Sequence, residues 1–383
     1  MRFLHTSDWH LGKSLKGRSR SDEHQAALAE ILDIIRREKI DCVLITGDVF
    51  DSQAPPPEAE QLAFNFFSEL RGLNIPAVVI GGNHDHPKRL LAIREVLQLL
   101  DIHIRPEPVR PADGGIVKIE SNGELAQIAV LPFVTVGKIS DAAMLMGPEV
   151  ERFQAYSERI AAMCGLLAES FGPKTVNLMM GHLYVDGAET SKSERDVHVT
   201  KPYAVQAQRF PSNAHYIALG HLHRPQEIAA PSRTFYAGSI LQLDFGEQDQ
   251  RKRVVLIDAH PRKPATIESV EITAGRNLRD VTGTLAELTA QAAEFGDDLL
   301  RVTVMADRPI PGVADHIREL LPNALEVRPG WSSPTQSAAP EISGTDPFEL
   351  FCRYYSAQHG SQPAEQVATL FKELYEEAVN ASD

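Results

Sequence analysis

The chain has 383 residues, 43 % of them hydrophobic and 23 % charged, a globular balance that excludes wholesale disorder and leaves room for one large domain with smaller appendages. Its three scattered cysteines, Cys42, Cys164 and Cys352, are too few for a disulfide framework or a thiolate zinc site and suit a reducing, cytoplasmic setting. The net charge of −14 argues against a nucleic-acid partner at first sight, yet bound divalent cations offset an acidic cluster, and steering depends on where charges lie.

No apolar run approaches the ~20 residues that cross a bilayer, and residues 2–6 enter a strand-like pattern with no basic and apolar leader before them, so no signal peptide is expected. In chain order, the first half alternates apolar strand-like runs with helical patterns, the mark of a layered α/β fold. Residues 3–7, 42–46, 77–80, 176–180 and 216–219 read as buried strands, and Ala27, Ile31, Ile34 and Ile35 mark a helix between the first two. Residues 116–133 and 226–259 carry shorter alternating runs that predict a second, more antiparallel sheet, so that residues 1–262 form a two-sheet sandwich flanked by helices.

Prolines 261 and 264 break the pattern. A small α/β domain is expected over 263–331, built from strands at 267–272, 299–305 and 325–328 and helices at 285–293 and 313–321. Residues 332–345, rich in Ser, Pro, Ala and Gly, read as a linker. Within 346–383, Phe348, Phe351, Tyr355, Val367, Leu370, Phe371, Leu374 and Ala378 fall at helical spacing. Such a two-helix tail buries its stripe either on its own domain or on a partner.

Five segments place polar ligand types after apolar strands: Asp8-Trp9-His10, Gly47-Asp48-Val49-Phe50-Asp51, Gly82-Asn83-His84-Asp85, Gly181-His182 and Gly220-His221-Leu222-His223. The carboxyl ends of strands in an α/β sheet share one edge, so such residues converge. Asp8 and His10, like His221 and His223, project to one side if the chain is extended there, and the preceding glycines allow sharp turns and close approach. Oxygen and imidazole without thiolate suit Mn²⁺, Fe²⁺ or Zn²⁺. Asp8, His10, Asp48, Asn83, His182, His221 and His223 are too many for one tetrahedral ion, which points to two ions sharing a ligand. Singly, each residue has an ordinary reading as a core histidine, a helix cap or turn chemistry; the constellation carries the argument.

In this order the motifs resemble the calcineurin-like metallophosphoesterase superfamily. More narrowly, residues 2–12, 46–51 and 216–224 resemble SbcD, the family of bacterial nuclease subunits that work with the ATPase SbcC. The similarity is strong over the catalytic domain and one of layout in the small domain and tail. It implies that Asp8, His10 and His223 hold one metal, that Asn83, His182 and His221 hold the other, and that Asp48 bridges them. His84 would stand beside the scissile phosphate without binding metal, and Asp51 would hydrogen-bond His84 and fix its tautomer. Manganese is the expected ion, with magnesium, iron or zinc as alternatives; the pair would activate a water and hold phosphate oxygens.

The same resemblance implies a capping role for the small domain and SbcC binding by the tail. It also implies a homodimer within a heterotetramer, with exonuclease action on double-stranded ends and endonuclease action on hairpins and single strands in DNA repair, recombination and replication. The chain has no Gly-x-x-x-x-Gly-Lys-Ser/Thr segment, so ATP falls to the partner. The metal motif alone does not choose a substrate. Lys13, Lys16, Arg18 and Arg20 after the first motif, Lys88 and Arg89 after the third, and Lys192, Arg195 and Lys201 after the fourth are candidate DNA-backbone contacts, against the alternative of ordinary solvated charge. A hydrolase of cyclic nucleotides or other small diesters, and a non-catalytic docking module on the same fold, are the competing readings.

Overall fold

Strands that are apolar throughout need cover on both faces, and the layering of this chain provides it. The computed structural model describes residues 1–330 except 153 and 192, and residues 346–381 except 360; the expected linker at 332–345 lies outside them. From the amino terminus run β1 (Arg2–Thr6), a hairpin of β2 (Ser14–Leu15) and β3 (Arg18–Ser19), α1 (Ser21–Glu38), β4 (Cys42–Ile45), α2 (Pro57–Gly72), β5 (Ala77–Ile80), α3 (Pro87–Gln98) and β6 (Ile102–Arg105). They are followed by β7 (Ile116–Ser121), β8 (Glu124–Leu131), α4 (Ile139–Met146), α5 (Pro148–Glu151), α6 (Tyr156–Ala168), β9 (Val176–His182), β10 (Tyr216–Gly220), β11 (Gln226–Ile228), β12 (Thr234–Tyr236), β13 (Arg253–Asp258) and β14 (Thr266–Glu271).

The first sheet has the order β14-β13-β1-β4-β5-β6 and the second β11-β12-β10-β9-β8-β7. Alternation along each strand assigns the layers. Leu4, Val43, Ile45 and Val79 pack with Ile31, Ile35, Phe66 and Leu70 of α1 and α2. Their neighbours Phe3, Cys42, Leu44, Val78 and Ile80 meet Ile128, Val130, Leu178, Met180 and Ala218 between the two sheets. On the far side Met179, Ile217 and Leu219 pack on Ala143, Ile160, Met163 and Leu167 of α4 and α6. The order is helices, sheet, sheet, helices, and Ala27, Ile31, Ile34 and Ile35 of the expected helix are all in the first core.

Three expectations need correction. The second sheet is parallel at its centre, through β8, β9, β10 and β12, and antiparallel only at its edge strands β7 and β11. β13, expected in that sheet, lies antiparallel to β1 in the first. The strand expected to open the small domain is β14, which pairs with β13 from Arg253↔Glu271 to Asp258↔Thr266. Pro261 and Pro264 flank a turn with Arg262 at φ +63°, so they make a hairpin connection, and the first compact unit runs to Leu278.

The second unit, from Arg279, holds β15 (Leu278–Gly283) apart from its first residue, α7 (Leu285–Gln291), β16 (Leu299–Val304), α8 (Val313–Leu320) and β17 (Ala324–Pro329) in a sheet ordered β15-β16-β17. Val281, Leu288, Val302, Val304 and Ile317 make its core. A capping box between Thr284 and Glu287 starts α7. In the tail, α9 (Pro347–His359) and α10 (Glu365–Ala381) meet through Phe351 and Phe371, stacked with centroids 4.2 Å apart. Val367, Leu370 and Leu374 of α10 are exposed. Among the described residues, no helix is long and apolar enough to cross a membrane.

Candidate dimetal centre

β1, β4 and β5 of the first sheet run into Asp8 and His10, Asp48 and Asp51, and Asn83 and His84, while β9 and β10 of the second end at His182 and just before His221 and His223. The convergence therefore draws on two sheets, not on one edge. Asp8, His10, Asp48, Asn83, His84, His182, His221 and His223 are each between 0 and 8 % exposed.

Asp8, His10, Asp48 and His221 all have positive φ, at 48°, 47°, 49° and 102°, a conformation that costs L residues of order 1–3 kcal/mol each. Backbone bonds from Asp8 N to Gly47 O (3.1 Å) and from His10 N to Asp48 O (3.0 Å) hold two of these turns. Asp8 and His10 thus share a site because both turn left-handed, not because the chain is extended. A Cβ at Gly82 would lie 2.0 Å from Asp48 Oδ1, and one at Gly220 2.0 Å from the Thr46 carbonyl oxygen. At Gly181 the nearest atom, on Leu183, is 3.2 Å away, so close approach explains that glycine less well.

Each expected imidazole ligand has one nitrogen engaged behind it. His10 Nδ1–H donates to Asp51 Oδ1 (3.0 Å), and His223 Nδ1–H is shared between the Ser193 hydroxyl oxygen (2.7 Å) and Glu247 Oε1 (3.2 Å). His182 Nδ1–H donates to the Thr46 carbonyl (2.7 Å) and His221 Nε2–H to the His198 carbonyl (3.3 Å). Such acceptors fix the tautomer and leave the other nitrogen with a bare lone pair. Those lone pairs crowd together: His10 Nε2 and His223 Nε2 are 3.1 Å apart, and Asn83 Oδ1 is 2.8 Å from His221 Nδ1 and 3.0 Å from His182 Nε2. Asp48 Oδ2 lies 3.7 Å from His10 Nε2 and 3.4 Å from His182 Nε2. With every imidazole neutral, acceptors would face acceptors and repel; a proton on His182 or a metal cation among them relieves this, and the donor set of oxygen and imidazole fits a pair of divalent ions. Asp8 joins His10 and His223, and also Asp48 and His182, with ligand atoms within 4.8 Å of one another; His84 falls in a third such group with His10 and Asp48.

Burial opposes charge on His182, but Asp48 and Asp8 beside it raise its pKa to about 9. Burial, with His182 and His198 as neighbours, holds His221 well below the imidazole range. Burial alone would raise Asp48, and the surrounding imidazoles of His182, His84 and His10 hold it well below the carboxylate range instead.

The calcineurin-like phosphoesterase family matches residues 1–225. Across 389 aligned residues the chain is 32 % identical to the SbcD subunit of nuclease SbcCD from Bacillus subtilis (strain 168), covering 98 % of this chain and 97 % of that protein. The chain belongs to the SbcD family of calcineurin-like phosphoesterases. Two more relatives of the same name are those of Escherichia coli (strain K12), 32 % identical over 78 % of this chain and 74 % of that protein, and of Rhodobacter capsulatus, 30 % identical over 92 % and 93 %. The type 5 capsule protein repressor C-terminal domain family matches residues 274–359, from the end of the first unit through α9.

Within this SbcD-family site, the remaining candidates separate. Asp51 meets His84 through its peptide carbonyl, which accepts from His84 Nδ1 at 2.6 Å, and not through its carboxylate. Its carboxylate faces His10 Nδ1 and Lys13 Nζ, each at 3.0 Å. Arg20 is 1 % exposed and grips Glu23 at 2.6 Å and the Gln242 carbonyl, so it is an internal tie and not a DNA contact. Arg89 pairs with Glu60 at 2.7 Å. Lys16, Lys88 and Lys201 are exposed and Arg18 partly so, while Lys192 lies outside the described residues. Arg195 brings Nη2 to 3.4 Å from His84 Nδ1.

Sequence reasoning missed the groups behind the ligands. Asp85 accepts from Gly82 N (2.9 Å) and Phe50 N (3.1 Å), tying two motif loops together, and burial beside Asp48 raises its pKa to about 6. Its place within Gly82-Asn83-His84-Asp85 was the available signal. Glu247 and its partner Lys252 carry no motif, and Glu194, which accepts from His223 N at 3.0 Å, carries none either.

Proposed function

We propose that this chain is the nuclease subunit of an SbcCD-type complex and hydrolyses DNA phosphodiester bonds at two divalent cations. Asp8, His10 and His223 would hold one ion, Asn83, His182 and His221 the other, and Asp48 both. The observation that carries the reading is the position of Asp48 Oδ2, between Nε2 of His10 and Nε2 of His182 at 3.7 and 3.4 Å. Manganese is the expected species. When bound, the ions supply Lewis-acid polarisation of the phosphate and an activated water.

The chain's own groups do the rest. The Asp51 carbonyl, accepting from Nδ1 at 2.6 Å, orients the His84 ring beside the site. Burial lowers its pKa to about 3 in the ligand-free protein, and an arriving phosphodiester anion favours its protonated form. It then stabilises charge on the phosphate or hands its proton to the leaving oxygen. Arg195 beside it and Lys13 on Asp51 would meet flanking phosphates, and Lys16, Arg18, Lys88 and Arg89, which follow the site motifs in the chain, are further candidates.

An SbcC-type ATPase would supply ATP hydrolysis and bind the tail. The second unit would discriminate DNA structures, and two copies of the chain would enter a cytoplasmic heterotetramer that trims double-stranded ends and opens hairpins. The test is cleavage of end-labelled duplex DNA, hairpin DNA and a small diester in Mn²⁺ or Mg²⁺, with and without that ATPase. Metal-dependent cutting of ends and hairpins is expected. Hydrolysis of the small diester with DNA left intact would overturn the nuclease reading.

A further inference from the structure

The two halves of the centre are backed by different chemistry. Both imidazoles at the Asp8 half have a carboxylate behind them, Asp51 behind His10 and Glu247, with the Ser193 hydroxyl, behind His223. Both at the Asn83 half lean on peptide carbonyls, those of Thr46 and His198. Asp8 itself adds a carboxylate to its half, where Asn83 offers only an amide.

Glu247 is fully buried. Its Oε1 lies 3.2 Å from His223 Nδ1 and also accepts from the Ser193 hydroxyl, whose oxygen is 2.7 Å from the same nitrogen, so the carboxylate backs His223 both directly and through Ser193; its Oε2 accepts from Lys252 Nζ at 2.5 Å and Leu243 N at 3.1 Å. Lys252 also donates to the His223 carbonyl at 3.0 Å and the Ser239 hydroxyl at 2.9 Å. A buried carboxylate stays ionised when it is paired and hydrogen-bonded in this way. A hydrogen bond to an ionised acceptor is about twice as strong as one to a neutral acceptor, and a carboxylate behind an imidazole makes its far nitrogen a better donor to metal.

We infer that Glu247 is a positioning residue that, with Asp51, makes the Asp8–His10–His223 half the tighter of two unequal cation sites. This rests on the dimetal reading above and deepens it. Glu247 touches neither substrate nor ion in this role; it acts through His223.

The test is calorimetric titration of the metal-free full-length chain with Mn²⁺ alone. The wild type should bind two ions in resolved steps, and Asn83→Ala should remove the weaker. Glu247→Gln should weaken the tighter step about 10- to 100-fold and leave the weaker one in place. Because Glu247→Gln strands a buried ammonium, the double variant Glu247→Gln/Lys252→Met and the separate variant Asp51→Asn provide further arms with the same expected result. A merely structural role would weaken both steps together, and that outcome in all three variants would overturn the inference, as would two wild-type sites of equal affinity. Fewer than two ions bound by the wild type would overturn the dimetal reading as well.

Discussion

Arg20 and Arg195 both follow site motifs in the chain, and their surroundings separate them. Arg20 is sealed against Glu23, so Arg20→Ala leaves that carboxylate without its ion-pair partner and held by the Arg276 N–H at 2.9 Å; the substitution is expected to cost about 3 kcal/mol, read as a lower urea midpoint, with the DNA affinity of the folded protein unchanged. A loss of DNA affinity without a loss of stability would contradict this placement. For His84, replacement by Ala is expected to slow cleavage at least ~100-fold while two Mn²⁺ ions still bind in calorimetry; full activity would remove its proposed role. The ligand candidates were legible because aspartate, asparagine and histidine after apolar strands are chemically conspicuous. Their backing was not, because Thr46, His198 and, for His84, Asp51 act through peptide carbonyls, which no side chain announces. Adjacency in sequence also misled for Arg20, since a basic residue near a motif can turn inward.

At the scale of elements, continuous apolar runs revealed the central strands, since cover on both faces removes the polar alternation. The same feature concealed which sheet each strand joins: Val176–His182 and Tyr216–Gly220 read like β1 and β4 but line the second sheet. β15 escaped notice because its buried positions, Leu278, Val281 and Gly283, do not alternate evenly. Pro261 and Pro264 resembled a domain boundary because a tight hairpin and a linker use the same breakers. In the tail, Leu370 and Leu374 are exposed on α10 while Phe351 and Phe371 hold the helix pair. Leu370→Ser/Leu374→Ser is therefore expected to abolish co-purification with an SbcC-type ATPase and to spare Mn²⁺-dependent cleavage by the isolated subunit. Undiminished co-purification would place the partner elsewhere.

Across the whole molecule, buried histidines make stability depend on pH. His5 sits between the Tyr216 hydroxyl and the Thr46 hydroxyl, each 2.9 Å away, and burial lowers its pKa from 6.5 to about 3. Below pH 6.5 the unfolded chain takes up a proton there that the folded chain refuses. Its contribution is thus intact above that pH and is lost by ~1.4 kcal/mol per pH unit as the pH falls towards the folded value. Urea unfolding of the metal-free protein should show that decline, and His5→Gln should make it shallower; an unchanged slope would refute the assignment.

The net charge of −14, which seemed to disfavour DNA, includes the buried carboxylates of Asp8 and Asp48, which two divalent ions would offset. That pair of ions is the central claim, and anomalous diffraction at the manganese edge from crystals equilibrated with Mn²⁺ tests it most directly. Two peaks ~3.5–4 Å apart are expected, one among Asp8, His10 and His223 and one among Asn83, His182 and His221, both in contact with Asp48. A single peak, or peaks away from Asp48, would contradict the account.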